Sequence, residues 1–261
     1  MKTANRLLAL SVLATGALFC NSTFACSTDA WASVAVGSTA GDPNVSIARV
    51  AGKCGLKVTA SGLVTDNTPD GETTFIARFY FYGKNIGAGT HTIFGAYTGD
   101  NASGEVFKIN YDGANIIVDA TSAGGNSQSV AANPNLWNLV EVSWSSGASG
   151  SLWINADATT APASASFTPG TGSIGSASLG AISAIGADTA LFDDYVSHRS
   201  LPVGPVLLGD ANGNGSINIA DVIAIANEYK QLNPLLASGA PDCNLSGGVN
   251  IADVICTASK F

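Results

Sequence analysis

The nine residues "TFIARFYFY" at positions 74–82 decide the fold class of the middle of this chain. Side chains that alternate with a period of two are typical of a β-strand, in which successive residues point to opposite faces of a sheet. One side of this alternation is wholly apolar and carries Phe75, Ala77, Phe79 and Phe81. The segment therefore predicts a central strand with one face in a hydrophobic core.

Several similar segments follow at short intervals: "HTIFGAY", "EVFKINY", "NIIVDA", "WNLVEVSW" and "GSLWINA". Turn signals separate them, such as Asp112-Gly113 and the run at 145–151. No sustained helical period occurs between residues 27 and 200. The predicted fold class is mainly β, with a jelly-roll β-sandwich at 26–200 followed by a small α-helical domain.

The first 25 residues have the layout of a secretory signal peptide. Lys2 and Arg6 precede an apolar run, and small residues end at Ala25. The run is too short to span a bilayer, so no membrane span is expected and the predicted location is secreted or extracellular. Cys26 follows the predicted cleavage site directly, which leaves a lipid anchor at Cys26 as an alternative.

Charge excludes one class of partner. The formal net charge is -8, and removal of the signal peptide with its two cations makes it -10. Because an acidic chain without a basic stripe does not attract phosphates, nucleic acid is not expected as a partner.

Four cysteines remain after removal of the signal peptide: Cys26, Cys54, Cys243 and Cys256. An even number in an exported chain favours disulfides over metal ligation. Three connectivities are possible. The early and late spacing favours Cys26 with Cys54 and Cys243 with Cys256.

Catalytic signals are weak in the predicted sandwich. Jelly-roll glycosidases use two carboxylates that face each other across a cleft, whereas Glu105 and Glu141 are isolated on their predicted strands and Asp157 lies in a loop. His91 and His198 belong to no catalytic motif. The sequence thus favours a non-catalytic binding protein over the alternatives, an extracellular polysaccharide-degrading hydrolase or lyase and a purely structural surface protein.

Aromatic residues suggest a ligand class for the sandwich. Rings offer a large stacking area to sugars, although most rings in a sandwich fill its core. The candidates for a carbohydrate platform are Trp31, Trp137, Trp144, Trp153, Tyr80 and Tyr82. An extracellular glycan is accordingly a predicted partner.

The phrase "NIADVI" occurs at 218–223 and again at 250–255. The Asp of each copy is the last residue of a twelve-residue segment with the spacing of an EF-hand calcium loop, in which alternate residues converge on one ion. The first predicted ligand set is Asp210, Asn212, Asn214, Ser216, Asn218 and Asp221. The second is Asp242, Asn244, Ser246, Gly248, Asn250 and Asp253. Two loops in register predict two calcium ions as cofactors.

Each loop leads into a predicted amphipathic helix. Ile219, Val222, Ile223 and Ala226 form the apolar face of the first, and the second copy repeats this start. The preceding segment, 201–208, has two prolines and no charge and is predicted to be a linker. The calcium-binding domain is therefore expected at 209–261.

Two families resemble these parts. The strand order and the closing "ALFDDYVSHR" at 190–199 are similar to the concanavalin A-like or laminin G-like jelly roll, where the "DD" phrase is structural. The tandem loops resemble a dockerin, which implies the calcium ligands named above and a cohesin-like or other surface protein as partner. Both copies have Ile-Ala after the ninth loop position, where cohesin-binding dockerins often carry hydroxyl residues. This departure favours packing of the module on its own sandwich or on another apolar surface.

Overall fold

The computed structural model describes residues 28–41, 50–52, 54–99, 103–230 and 239–261. The predicted signal peptide and Cys26 lie outside the described residues, and so does the question of a lipid anchor. None of the helices in the described ranges has the length and apolar character needed to cross a membrane.

Fourteen strands and two α-helices form the described part of the chain. The strands are β1 (Ser33–Val34), β2 (Ser38–Gly41), β3 (Gly55–Thr59), β4 (Leu63–Asp66), β5 (Thr74–Asn85), β6 (His91–Gly99), β7 (Ser103–Tyr111), β8 (Asn115–Asp119), β9 (Ser127–Ala131), β10 (Asn138–Ser145), β11 (Gly150–Ile154), β12 (Ala165–Phe167), β13 (Ser176–Gly180) and β14 (Thr189–His198). The helices are α1 (Ile219–Tyr229) and α2 (Ile251–Ala258). Each strand segment named from the sequence is a strand here.

The strands form two antiparallel sheets of seven strands each. Sheet A has the order β1-β4-β13-β6-β7-β8-β9, and sheet B has the order β12-β11-β10-β5-β14-β3-β2. Some neighbours are consecutive in sequence, as in β6-β7-β8-β9, whereas β5 lies between the distant strands β10 and β14. The mainly β sandwich followed by a small helical region confirms the predicted fold class.

The core lies between the two sheets and accounts for the alternation on β5. Phe75, Ala77, Phe79 and Phe81 all belong to this core and are fully buried. The Phe79 ring stacks on Phe94 of sheet A, with ring centroids 5.5 Å apart. Strand β5 is therefore the centre of sheet B and carries the aromatic contacts that join the two sheets.

The opposite side of β5 is buried as well, although the sequence gives it polar atoms. Tyr80 and Tyr82 are 1% and 9% exposed. They belong to a second cluster on the outer face of sheet B, which is separate from the main core. Val206 and Leu208 of the linker and Leu245 of the C-terminal region pack on this outer face and cover it.

The linker is bound to sheet B by a carboxylate. Glu141 of β10 is fully buried and accepts hydrogen bonds from the backbone N–H groups of Val203 and Gly204, at 2.7 and 2.8 Å. The hydroxyl of Tyr80 accepts a further bond from the N–H of Val206, at 3.2 Å. A buried carboxylate is tolerated when backbone donors satisfy it, so Glu141 holds the linker on sheet B.

The "DD" phrase of β14 is structural, as its resemblance implied. One Asp193 oxygen accepts the N–H groups of Val50 and Ala51, at 2.6 and 2.8 Å. Burial raises the pKa of Asp193 to about 7 despite these bonds. Asp194, at φ 51°, forms an ion pair with Arg78 of β5. The two carboxylates thus fix a bulge in the strand and the chain that passes beside it.

Candidate metal centre

The first loop is curled around two carboxylates, one at each end. Asp210 accepts the backbone N–H groups of Asn214 and Gly215, at 3.1 and 2.7 Å. Asp221, in the first turn of α1, accepts those of Asn212 and Asn218, at 3.1 and 2.9 Å. The twelve residues are therefore closed into a compact turn whose ends lie together.

The second loop repeats these four hydrogen bonds at equivalent positions. Asp242 accepts from Ser246 and Gly247, both at 2.9 Å. Asp253 accepts from Asn244 at 3.1 Å and from Asn250 at 2.8 Å. The sequence repeat is thus a structural repeat of loop and helix start.

Both loops bury their carboxylates in pairs. Asp210 is 6% exposed, and Asp221, Asp242 and Asp253 are fully buried. Burial raises the pKa of Asp242 to about 7, and the negative charge of nearby Asp253 contributes in the same direction. Two like charges held together out of water are unfavourable unless a cation lies between them. The chemistry of the pair therefore fits a bound cation.

The neutral predicted ligands of the first loop shape the turn. The side-chain oxygen of Asn212 accepts from the N–H of Asn214 at 3.0 Å, and that of Asn214 accepts from Ser216 at 2.9 Å. Asn218 caps α1, since its side-chain oxygen accepts from the N–H of Ala220 at 2.8 Å. The structure thus places all six residues in one closed loop.

The second loop shows directly that two predicted ligand oxygens converge. The side-chain amide of Asn250 donates to the Ser246 hydroxyl at 3.2 Å and to the Gly248 carbonyl at 2.8 Å. Asn244 accepts from the N–H of Ser246 at 3.0 Å. The Ser246 and Gly248 oxygens thus lie together at one amide group, and the Asn250 side-chain oxygen caps α2 by accepting the N–H of Ala252 at 2.8 Å.

The donor atoms of the two loops indicate which class of metal they could bind. Within the described ranges, no three His, Cys, Asp or Glu side chains form a metal-type cluster. Each loop instead offers two carboxylates together with neutral amide, hydroxyl and carbonyl oxygens. Calcium accepts such oxygen sets, whereas transition metals favour nitrogen and sulfur ligands.

The predicted apolar helix face is not the buried one. Ile219 and Ile223 are 59% and 53% exposed, and Asp221, Ala224, Ile225 and Glu228 form the buried side of α1. In α2, Ile251 and Ile255 are likewise exposed, and Asp253 is buried. The prediction was wrong about packing because the loop turns its twelfth residue inward, which rotates the isoleucines outward.

The predicted aromatic platform is also wrong. Trp137 and Trp144 are fully buried, Trp153 is 9% exposed, and Tyr80 and Tyr82 lie under the covering segments. Trp31 is half-buried and contacts Tyr195, with ring centroids 5.2 Å apart. These rings fill the core or hold other parts of the chain, so they offer no flat stacking surface.

The late disulfide is confirmed. Cys243 and Cys256 are bonded, and they join the second position of the second loop to α2. Cys54 is also disulfide-bonded, and Cys26, its expected partner, lies outside the described residues. A small two-helix module with so little core gains from such a link.

Glu105, Lys108 and Asp119 form a charged trio on the outer face of sheet A that the sequence did not predict. The Lys108 ammonium lies 3.0 Å from Glu105 and 3.8 Å from Asp119. Residues three apart on a regular strand face opposite sides, but a register shift beside Glu105 puts Glu105 and Lys108 on one face. Burial opposes ionisation of Asp119, yet hydrogen bonds from Thr121 and the Lys108 charge outweigh it and lower the pKa of that carboxyl.

Comparison with known proteins yields structural similarity only. No family model matches the chain, and no curated protein matches it. A botulinum neurotoxin serotype G binding domain aligns with 65% of this chain and 44% of that chain, at 15% identity and a TM-score of 0.43. The chain thus spans less than half the length of that domain.

Two further solved structures align over most of their own length. The alginate lyase AlgAT5 from Polysaccharide Lyase family 7 matches 62% of this chain and 82% of that chain, at 11% identity and a TM-score of 0.43. The cellulose induced protein Cip1 matches 64% and 89%, at 13% identity and a TM-score of 0.47. Similarities of this size carry no functional argument.

Proposed function

We propose that this chain is a secreted, non-catalytic calcium-binding protein, in which a dockerin-like C-terminal module with two calcium loops is held on a β-sandwich. The observation that carries the proposal is the equivalent closure of both loops, in which backbone N–H groups donate to two buried carboxylates, Asp210 and Asp221 in the first loop and Asp242 and Asp253 in the second. The disulfide at Cys243 fits an oxidising, extracellular compartment.

Charge and geometry indicate weak binding of the extracellular type. Two carboxylates in each loop neutralise one calcium ion, and every other ligand is a neutral oxygen. Loops of low charge in extracellular modules bind with Kd on the order of 0.1 to 1 mM. Such sites are filled where calcium is millimolar, so the ions act as structural components of the module.

Isothermal titration calorimetry of the full chain is expected to give two calcium ions per molecule. Asp221→Asn and Asp253→Asn each remove one charge without changing side-chain size, and each variant is expected to retain one ion. The loop that carries the substitution should bind calcium at least about tenfold more weakly, because the number of charged ligands changes the Kd of calcium loops by orders of magnitude.

Asp157→Asn serves as the control for these variants. Asp157 lies in a sandwich loop, where it accepts the N–H and hydroxyl of Thr159 at 2.9 and 2.6 Å. This variant is expected to bind two ions. Stoichiometry that stays at two in both loop variants would place the ions elsewhere and reject the assignment.

Glycan binding is a second candidate, and we locate it on the outer face of sheet A. Paired positions across this sheet carry Ser33, Thr65, Ser178, Gly95, Lys108, Asp119 and Ser127. Thr65, Ser178 and Gly95 are buried. The Thr65 and Ser178 hydroxyls are 3.1 Å apart, and Lys108 is partly exposed. The accessible donors and acceptors, on Ser33, Lys108, Asp119 and Ser127, can match the hydroxyl groups of a saccharide.

A microarray of neutral and uronic oligosaccharides tests this candidate. Lys108→Ala is expected to lower retention at least about fivefold, because it removes the charged donor of this face. Lys57→Ala, on β3 of sheet B, is the matched control and should bind as the parent does. Equal retention by both variants, or no retained glycan, would reject this face as the site.

The same face is poorly suited to glycoside hydrolysis. Glu105 and Asp119 approach each other closely enough to share Lys108, but hydrolysis needs one carboxyl that is protonated at the start. Although burial opposes ionisation, hydrogen bonds from Thr121 and the Lys108 charge lower the pKa of Asp119, which keeps that carboxyl ionised. The trio therefore supports binding over the hydrolase alternative.

A further inference from the structure

The two proposed calcium loops differ in their contacts with the β-sandwich. The outer face of sheet B carries an apolar cluster that we call the seat, formed by Val50, Tyr80, Tyr82, Trp137 and Leu139. Leu245, in the second loop, packs on the seat together with Val206 and Leu208 of the linker. Residues of the first loop are absent from this cluster within the described part of the chain.

The contact reaches into the ligand segment of the second loop. Leu245 occupies the fourth loop position at φ 58°, and its carbonyl accepts a hydrogen bond from the backbone N–H of Trp137 at 2.9 Å. It lies directly between two predicted ligands, Asn244 and Ser246. The sandwich backbone therefore fixes the chain between the third and fifth ligand positions.

The sixth position is held against the sandwich too. A Cβ atom at Gly247 would lie 3.1 Å from the Tyr82 ring, so the loop backbone contacts the ring closely. The Tyr82 and Trp137 rings support each other, with centroids 5.5 Å apart. Glycine is needed here both for space and for φ 94°.

The first loop has no such support at the same positions. Gly213 stands where the second loop has Leu245, and it is exposed. Gly215, the counterpart of Gly247, is also exposed, and a Cβ atom there would contact nothing within 4 Å. The four hydrogen bonds to the carboxylates are equivalent in the two loops. The seat and the Cys243–Cys256 disulfide distinguish the second loop from the first.

We propose that the seat on sheet B is part of the second calcium site, so that the second loop binds calcium more tightly than the first and its ion locks the module onto the sandwich. This inference rests on the proposed calcium function. A loop whose ligands are already in place loses less conformational entropy on binding. By linkage, an ion that favours the docked loop must strengthen docking by the same factor.

The test measures each loop separately in the full chain. Calcium is titrated calorimetrically into Asp221→Asn, in which the second loop is active, and into Asp253→Asn, in which the first is active. The second loop is expected to bind calcium about tenfold more tightly than the first. The corresponding difference in binding free energy is about half of what full burial of a leucine side chain contributes. Equal affinities, or a tighter first loop, would overturn the proposal.

Leu245→Gly then removes the seat contact by copying the first loop. In the Asp221→Asn background it is expected to lower the affinity of the second loop about tenfold, to the level of the first. Glycine adopts the positive φ at this position without strain. In the Asp253→Asn background the same substitution should leave the first loop unchanged, which also shows that the variant is folded.

Tryptophan fluorescence gives a readout independent of calorimetry. Calcium is expected to change the emission of the parent chain, and Trp137→Phe should abolish the change, whereas Trp153→Phe should retain it. A change that persists in Trp137→Phe contradicts coupling through the seat. If neither loop binds calcium, the proposed function itself fails, and that outcome differs from two loops that bind equally.

Discussion

Removal of calcium is expected to unfold the C-terminal module while the sandwich stays folded. Differential scanning calorimetry of the full chain in calcium and in chelator should show two unfolding transitions. The transition of the C-terminal module should fall in temperature when calcium is removed, whereas that of the sandwich should change little. An ion at a hundredfold excess over its Kd stabilises the folded state by about 2.7 kcal/mol. Two such ions act on a module whose buried apolar cluster is small, with Ala211, Ala224 and Ile225 at its centre.

The physical reason lies in the paired carboxylates. Without a cation, Asp210 and Asp221 leave like charges together at low exposure, and Asp242 and Asp253 do the same. The main core of the sandwich contains none of these residues, so its transition should depend little on calcium. The Asp221→Asn/Asp253→Asn double variant is the control, and its lower transition should no longer respond to calcium. Transitions of the parent chain that coincide in calcium and in chelator would contradict this expectation.

Loss of the Cys243–Cys256 disulfide is expected to have an effect of similar size. The link closes a loop with a sequence separation of 13, and loops of that length contribute about 3 kcal/mol by restricting the unfolded chain. The Cys243→Ala/Cys256→Ala double variant should therefore melt its module below the parent at every calcium concentration. Alanine avoids a new buried polar group at Cys243, which is 4% exposed.

Urea titration followed by the circular dichroism of the helices measures the loss of unfolding free energy in the disulfide variant. High calcium should restore the module in the disulfide variant, since ion and disulfide act on the same loop and both favour its folded state. Ala258→Ser, on the exposed last turn of α2, is the matched control and should leave the midpoint unchanged. A variant that keeps the midpoint of the parent would show that the disulfide adds nothing to stability.

Local patterns carried the correct predictions. The alternation at 74–82 predicted β5, and the twelve-residue spacing predicted two equivalent loops, each of which leads into a helix. Both signals depend on residues that are close in sequence. A capping box or a loop carboxylate needs no distant partner to form, so the sequence alone was sufficient.

Contacts between distant segments could not be predicted in this way. Alternation on β5 shows that Tyr80 and Tyr82 share one face, but it does not show that Leu245 covers that face. The rotation of α1 follows from the inward position of Asp221, which outweighs the apolar character of Ile219 and Ile223. The register shift beside Glu105 has no sequence signal that we recognise.

The central claim is that each loop holds one calcium ion between its paired carboxylates. A crystal structure of the full chain grown in 10 mM calcium, with anomalous scattering used to identify the metal, tests it most directly. The account predicts one calcium ion in each loop, with Asp210 and Asp221 or Asp242 and Asp253 oxygens at about 2.3 to 2.6 Å. Loops that stay closed by hydrogen bonds alone, with no anomalous peak at either carboxylate pair, would contradict it.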